Sequence, residues 1–305
     1  MTGVTAFVFA GLNGAEHTGE PAIVNRPGFR RRWRQVQATF AEQAGFAAFD
    51  AALLAGRRLP ADSHTWRWRA LAVVAAQLAA AEHVEQLGER PDWLCGYSIG
   101  DVARSCHAGA ATFAQVLAFA QALPTLPETA GATVAVCTPT EQAAPPLRAR
   151  LAAEGLAVST LSPRFLLFAG DEPAVPAAIA MCREAGARPR RIASCPLHTA
   201  RQRELTLLLT AHLRRARFTD PTHNVFSTTL ARPLTLGDEL RRELGENAAR
   251  TLDFAAAVRA LHERHRVTRF VDLGPGRHAM RFIRHHRLPV TAVSAGDLLV
   301  NATAR

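Results

Sequence analysis

The residues with the clearest chemical potential are Gly96-Tyr97-Ser98-Ile99-Gly100, a Gly-x-Ser-x-Gly turn. It follows Trp93-Leu94-Cys95, an apolar run after Pro91 that reads as a buried strand, and it precedes an alanine-rich helical pattern from Asp101 towards Leu123. Between strand and helix this pattern is a nucleophile elbow. Its glycines permit a tight turn that holds the serine hydroxyl above the sheet edge, at a helix N-terminus. The chemistry is attack by Ser98 on an acyl carbon, with the backbone N–H of Ile99 directed at the oxyanion that forms. The bland alternative is a structural turn that happens to contain a serine.

The rest of the chain must hold that turn in place. Residues 5–9 are apolar and strand-like, and Ala10-Gly11-Leu12-Asn13-Gly14 breaks them with loop glycines, so a backbone N–H there can approach a neighbouring site. Residues 29–54 have helical apolar spacing with an interrupted register. Residues 66–87 form the clearest amphipathic helix, closed by Gly88. Pro124 and Pro127 mark a boundary, after which strand, helix, two strands, helix and strand follow up to Cys195. That β-α-β-β-α-β order is the ferredoxin-like arrangement and predicts an inserted small domain. Beyond it, residues 224–227 and 269–273 read as strands, separated by helical patterns over 237–247 and 254–264.

At 305 residues the chain is long enough for a large core and two unequal domains. No apolar run reaches the ~18 residues that span a bilayer, and the first residues look like a strand rather than a signal peptide. Five widely spaced cysteines suit neither a disulfide framework nor a metal site, which points to a reducing cytoplasm. The net charge of +10 is carried by arginine without any lysine. GC-rich coding explains the arginine, yet a basic surface attracts acidic partners whatever its origin. No nucleic-acid module accompanies it, so a phosphorylated cofactor or an acidic carrier protein suits the charge better. No spacing suggests a metal, and Gly274-Pro275-Gly276 lacks the third glycine of a dinucleotide fingerprint.

Taken together, Phe7-Val8-Phe9-Ala10-Gly11, the elbow through Asp101, the βαββαβ segment, Pro196-Leu197-His198 and Phe270-Val271-Asp272-Leu273-Gly274-Pro275-Gly276 resemble the malonyl-CoA:acyl carrier protein transacylase family. That family includes the acyltransferase domains of fatty-acid and polyketide synthases. The resemblance implies an α/β fold: a hydrolase-like large domain with a parallel sheet (residues 1–126 and 196–305) and an inserted ferredoxin-like small domain (127–195). It also implies an acyl-enzyme on Ser98, with His198 as general base and no bound cofactor. A coenzyme A thioester is the substrate and the phosphopantetheine thiol of an acyl carrier protein the acceptor. Asn247 aligns with the position whose backbone carbonyl orients the histidine, and Leu12 with the second oxyanion donor. The other histidines, His64, His83, His107, His212 and His223 among them, read as structural.

The sequence departs from the family at three places. The loop glutamine is replaced, leaving Leu12 or, with a shifted gap, Asn13. The glutamine heading the helix before the elbow aligns with Arg69. The arginine that pairs with the malonyl carboxylate aligns with Leu123, which cannot make a guanidinium–carboxylate pair. One expectation is that Arg69 or Arg104 takes over that role; the alternative for Arg69 is a stem lying beside Trp66 and Trp68. A second is a plain acyl group in an apolar pocket lined by Leu197 and Tyr97, unless Tyr97 only packs. A third is an editing enzyme that releases acyl-Ser98 to water. A non-catalytic scaffold for a carrier protein and a general serine esterase complete the set, the esterase lacking a well-placed triad acid.

Overall fold

The computed structural model describes residues 3–298 apart from 13, 58, 60–64 and 123–130; Asn13, His64 and Leu123 therefore lie outside the described residues. β1 (Val4–Phe9) opens the chain and is buried along almost its whole length. α1 (Pro21–Val24), α2 (Pro27–Phe40) and α3 (Phe46–Leu54) follow, and α4 (Trp66–Gln86) leads to β2 (Trp93–Gly96). After the elbow come α5 (Gly100–His107) and α6 (Phe113–Ala122). The next unit is β3 (Gly131–Cys137), α7 (Ala144–Ala153), β4 (Ala157–Ser162), β5 (Phe165–Asp171), α8 (Val175–Glu184) and β6 (Arg188–Ala193). The chain then gives α9 (Arg203–Leu213), β7 (Asn224–Ser227), β8 (Arg232–Leu234), α10 (Gly237–Glu246), α11 (Phe254–His265), β9 (Val267–Asp272), α12 (His278–Arg284) and β10 (Thr291–Ser294).

Two sheets result. The first has the order β10-β9-β1-β2-β7-β8 and is parallel except for the β7–β8 hairpin. Parallel strands are covered on both faces, which is why β1 and β2 read as continuous apolar runs. The second sheet, β4-β5-β3-β6, is wholly antiparallel. Its strand order is that of a ferredoxin-like unit, and it carries its own core around Val134, Leu147, Phe168 and Cys182. The fold class is thus the expected one, a largely parallel α/β sheet with a smaller antiparallel sheet.

Two local expectations need correction. The pattern from Asp101 towards Leu123 is two helices, because Gly109 takes a φ of 74° and turns the chain between α5 and α6. α4 is not amphipathic over its middle: residues 70–81 are buried on every side. Trp33, Phe46 and Phe49 on α2 and α3 pack with its Trp68 and Leu71, while Val74, Leu78 and Ala81 face the sheet. A helix apolar all round is an internal one. The short β8, α12 and β10 went unread because each offers at most two turns or four residues of pattern.

Candidate active site

The elbow forms where β2 gives way to α5. Ser98 has φ 58°, the left-handed region that a residue with a Cβ adopts at a cost of about 1–2 kcal/mol. The turn has no room for larger neighbours. A Cβ on Gly100 would lie 1.9 Å from the carbonyl oxygen of Phe9, and one on Gly96 would lie 2.8 Å from Asp101 Oδ1. Both glycines of the motif are therefore dictated by close backbone approach. From the other side, the loop after β1 is pinned by Gln77 of α4, whose amide donates to the Ala10 carbonyl at 2.6 Å.

His198 is presented by the segment that leaves the second sheet. Thr133 Oγ donates to the Cys195 carbonyl (2.7 Å) and accepts from the Leu197 N–H (2.9 Å), while the Gln202 amide donates to the Pro196 carbonyl at 3.0 Å. His198 also has φ 58°. Its Nε2 lies 3.0 Å from Ser98 Oγ, and its Nδ1 lies 3.0 Å from the backbone carbonyl of Asn247. A carbonyl can only accept, so Nδ1 carries the hydrogen and Nε2 keeps its lone pair facing the serine hydroxyl. Burial lowers the imidazole pKa, and hydrogen bonds to the Asn247 and Arg250 backbone partly oppose that. The ring is thus held neutral and oriented, ready to accept a proton. The orienting group is a carbonyl, not a carboxylate, which removes the geometric basis for a Ser-His-Asp esterase.

Asn247 is itself fixed. Its side-chain amide donates to Asp101 Oδ2 at 2.7 Å. Asp101 Oδ1 lies 3.0 Å from Arg104 Nη1, and Arg104 reaches on to Glu243 and to the Phe226 carbonyl at 3.0 Å. Ser227 Oγ donates to the same Glu243. Asp101 and Arg104 are completely buried and Glu243 is 2% exposed. Burial raises the Asp101 carboxyl against the pull of Arg104 and of the Asn247 amide. The chain Glu243–Arg104–Asp101–Asn247–His198 thus links the interior of the first sheet's helical layer to the imidazole.

That network corrects one expectation outright. Arg104 does not reach an acyl group, since its guanidinium is sealed between two carboxylates and a carbonyl. Tyr97 is also removed from the pocket: it is 2% exposed and packs against Phe254 and Phe282 beneath the sheet. The role assigned to Leu123 falls outside the described residues. The remaining candidates gather on one cavity of about 1030 Å³, whose wall includes Leu12, Arg69, Ser98, Ile99, Leu197, His198 and Asn247. Sequence reasoning missed Gln77 and Glu243. The one signal available was Arg104 itself, a cation in a helix of small residues that required a buried counter-charge.

Folding also gathers Glu85, His107 and His223, whose potential ligand atoms lie within 4.8 Å of one another, a proximity that their separation in sequence did not announce. None of the three lines the cavity, and the His107 ring packs at a tilt against Phe7 and Phe9. All five cysteines are unpaired. No described helix is long and apolar enough to cross a membrane.

No protein-family profile matches the chain. The malonyl CoA-acyl carrier protein transacylase of Escherichia coli K12 is 26% identical to it over 255 residues, which is 79% of this chain and 81% of that protein. Among solved structures, the transacylase of that name from Coxiella burnetii superposes with a TM-score of 0.81 at 21% identity, covering 99% of this chain and 97% of its own. A malonyl-transacylase in complex with a type II polyketide acyl-carrier protein superposes with a TM-score of 0.72 at 21% identity, covering 95% of each chain. The chain thus has detectable homology, at modest sequence identity, to malonyl CoA-acyl carrier protein transacylases, and it shares their fold.

Proposed function

We propose that the protein moves an acyl group, malonyl in the nominal family reaction, from coenzyme A to the phosphopantetheine thiol of an acyl carrier protein through acyl-Ser98. The observation that carries this reading is the 3.0 Å approach of Ser98 Oγ to His198 Nε2, with Nδ1 committed to the Asn247 carbonyl. Ser98 Oγ attacks the thioester carbon and its proton passes to Nε2. The oxyanion faces the backbone N–H groups of Ile99 and Leu12. Collapse breaks the C–S bond, and the imidazolium returns the proton to the departing thiol. The carrier thiol then gives its proton to the same nitrogen and attacks the acyl carbon, and Ser98 Oγ departs, taking that proton back from Nε2. Asp101 positions Asn247 rather than contacting the imidazole. Arg215 and Arg217 on the cavity wall supply positive charge for the phosphates of coenzyme A or of the carrier's prosthetic arm.

Intact-mass analysis after incubation with malonyl-, acetyl- and longer acyl-CoA tests the reading. An acyl adduct is expected on the wild type, absent in Ser98→Ala and strongly reduced in His198→Ala. No adduct from any thioester would overturn it and favour a carrier-binding scaffold. With Arg104 withdrawn, Arg69 is the candidate on the cavity wall for an acyl carboxylate; a site that does not use it would transfer a non-carboxylated acyl group or release it to water. Decay of the adduct without carrier protein separates hydrolysis from transfer.

A further inference from the structure

We infer that the acyl group this site accepts is a medium-length or long unbranched chain, held in the apolar part of the cavity behind Ser98. The inference rests on the acyl-Ser98 reading and specifies its substrate. The cavity, about 1030 Å³, is at the upper end of spaces that enclose drug-sized ligands. It has to admit the amide-rich arm of the thioester as well as the acyl group.

The side contributed by the second sheet and its connections is mixed: Glu172, Arg191 and Ser194 match the amide-rich arm of a thioester, beside Ile192, Ala193 and Cys195. The side made by α4, α6 and α9 carries an apolar stretch, Ala70, Val74, Val116, Phe119, Leu205 and Leu209, flanked by Arg67, Arg69, Gln115 and His212. Leu205 and Leu209 pack with Trp66, Phe119 and Ala248 as a small cluster of their own, separate from the larger cores. An apolar wall of this extent offers water few hydrogen bonds and suits an alkyl chain. Small residues keep the space open: Ala70, Ala118 and Ala120 all line it. Arg69 shares the α4 wall, so a short carboxylated acyl group is the competing outcome.

The experiment is a chain-length series. Acetyl-, malonyl-, butyryl-, hexanoyl-, octanoyl- and decanoyl-CoA are loaded onto the wild type and onto Ala70→Phe and Leu209→Phe, and adduct formation is timed by intact mass. Burying each methylene is worth up to about fourfold in loading efficiency, so octanoyl should exceed both acetyl and malonyl at least tenfold. Each phenylalanine should lower the octanoyl-to-acetyl ratio at least tenfold. Fastest loading by malonyl or acetyl, or a chain-length profile that neither phenylalanine changes, overturns the inference while leaving acyl-Ser98 intact. If no thioester loads, the catalytic reading falls separately. The cavity is then judged on Ser98→Ala protein by binding of a fluorescent medium-chain fatty acid. Displacement by decanoate and loss in Leu209→Phe support it, and absence of binding overturns it.

Discussion

Replacing Arg104 with leucine separates two accounts of the same residue. As a clamp for an acyl carboxylate, Arg104 would matter for malonyl binding and little for folding. The structure places it instead between Asp101 and Glu243, fully buried, with a further hydrogen bond to the Phe226 carbonyl at 3.0 Å. Removing the one cation leaves two carboxyl groups in the interior without their partner, and breaking a buried pair in this way costs about 3–5 kcal/mol. At about 2 °C per kcal/mol for a protein of this size, Tm should fall by roughly 6–10 °C. The double variant Arg104→Leu/Glu243→Gln should recover part of the loss by removing one uncompensated charge. Arg104→Lys should fall between, because a point charge cannot serve both carboxylates as a planar guanidinium does. Calorimetry or urea unfolding supplies the stability, and loading kinetics at low temperature supply the KM for malonyl- and acetyl-CoA. A Tm within 2 °C of wild type, together with a KM raised for malonyl but not acetyl, would refute the reasoning.

Asn247→Ala keeps the carbonyl that receives His198 Nδ1 but loses the 2.7 Å amide bond to Asp101; a hydrogen bond of about 1–1.5 kcal/mol translates into roughly a tenfold lower kcat, with KM nearly unchanged. The pH profile of acyl loading should show an acid limb, since a protonated imidazole cannot take the Ser98 proton and activity falls as pH falls through the folded-state pKa. Burial lowers that pKa, so the limb should lie below the ordinary histidine value of about 6.5; a midpoint above 6.5 in single-turnover data would contradict it. Gly100→Ala should abolish both loading and soluble expression, because its methyl would overlap the Phe9 carbonyl at 1.9 Å and backbone cannot yield cheaply. A folded, active Gly100→Ala protein would show that the elbow is built differently.

Much of the fold was legible in sequence for a physical reason: buried parallel strands write themselves as apolar runs, as β1 and β2 do and as β9 does at Phe270 and Val271. The second sheet was legible because its alternation of strand and helix has a fixed order that supports one compact pairing, β4-β5-β3-β6. The elbow was legible because its glycines are forced by local sterics around Ser98, a constraint contained within five residues. α4 was read as amphipathic although residues 70–76 are an unbroken apolar run, the pattern of a helix covered on every side, here with α2 and α3 over its outer face.

What sequence alone determined is therefore what local chemistry dictates: a serine on a strained turn, a histidine after the small sheet, and the elements that carry them. Which charges meet is a different matter. Asp101, Arg104, Glu243 and Asn247 come from α5 and from the far end of the chain. Only packing of α10 against α5 turns Arg104 inward to two carboxylates and sends the Asn247 amide to Asp101. The cavity is likewise a product of tertiary structure, since its apolar wall is assembled from α4, α6 and α9 and none of them encloses space by itself. Ion pairs and cavities depend on distances across the fold, and those distances are set when the layers close on one another.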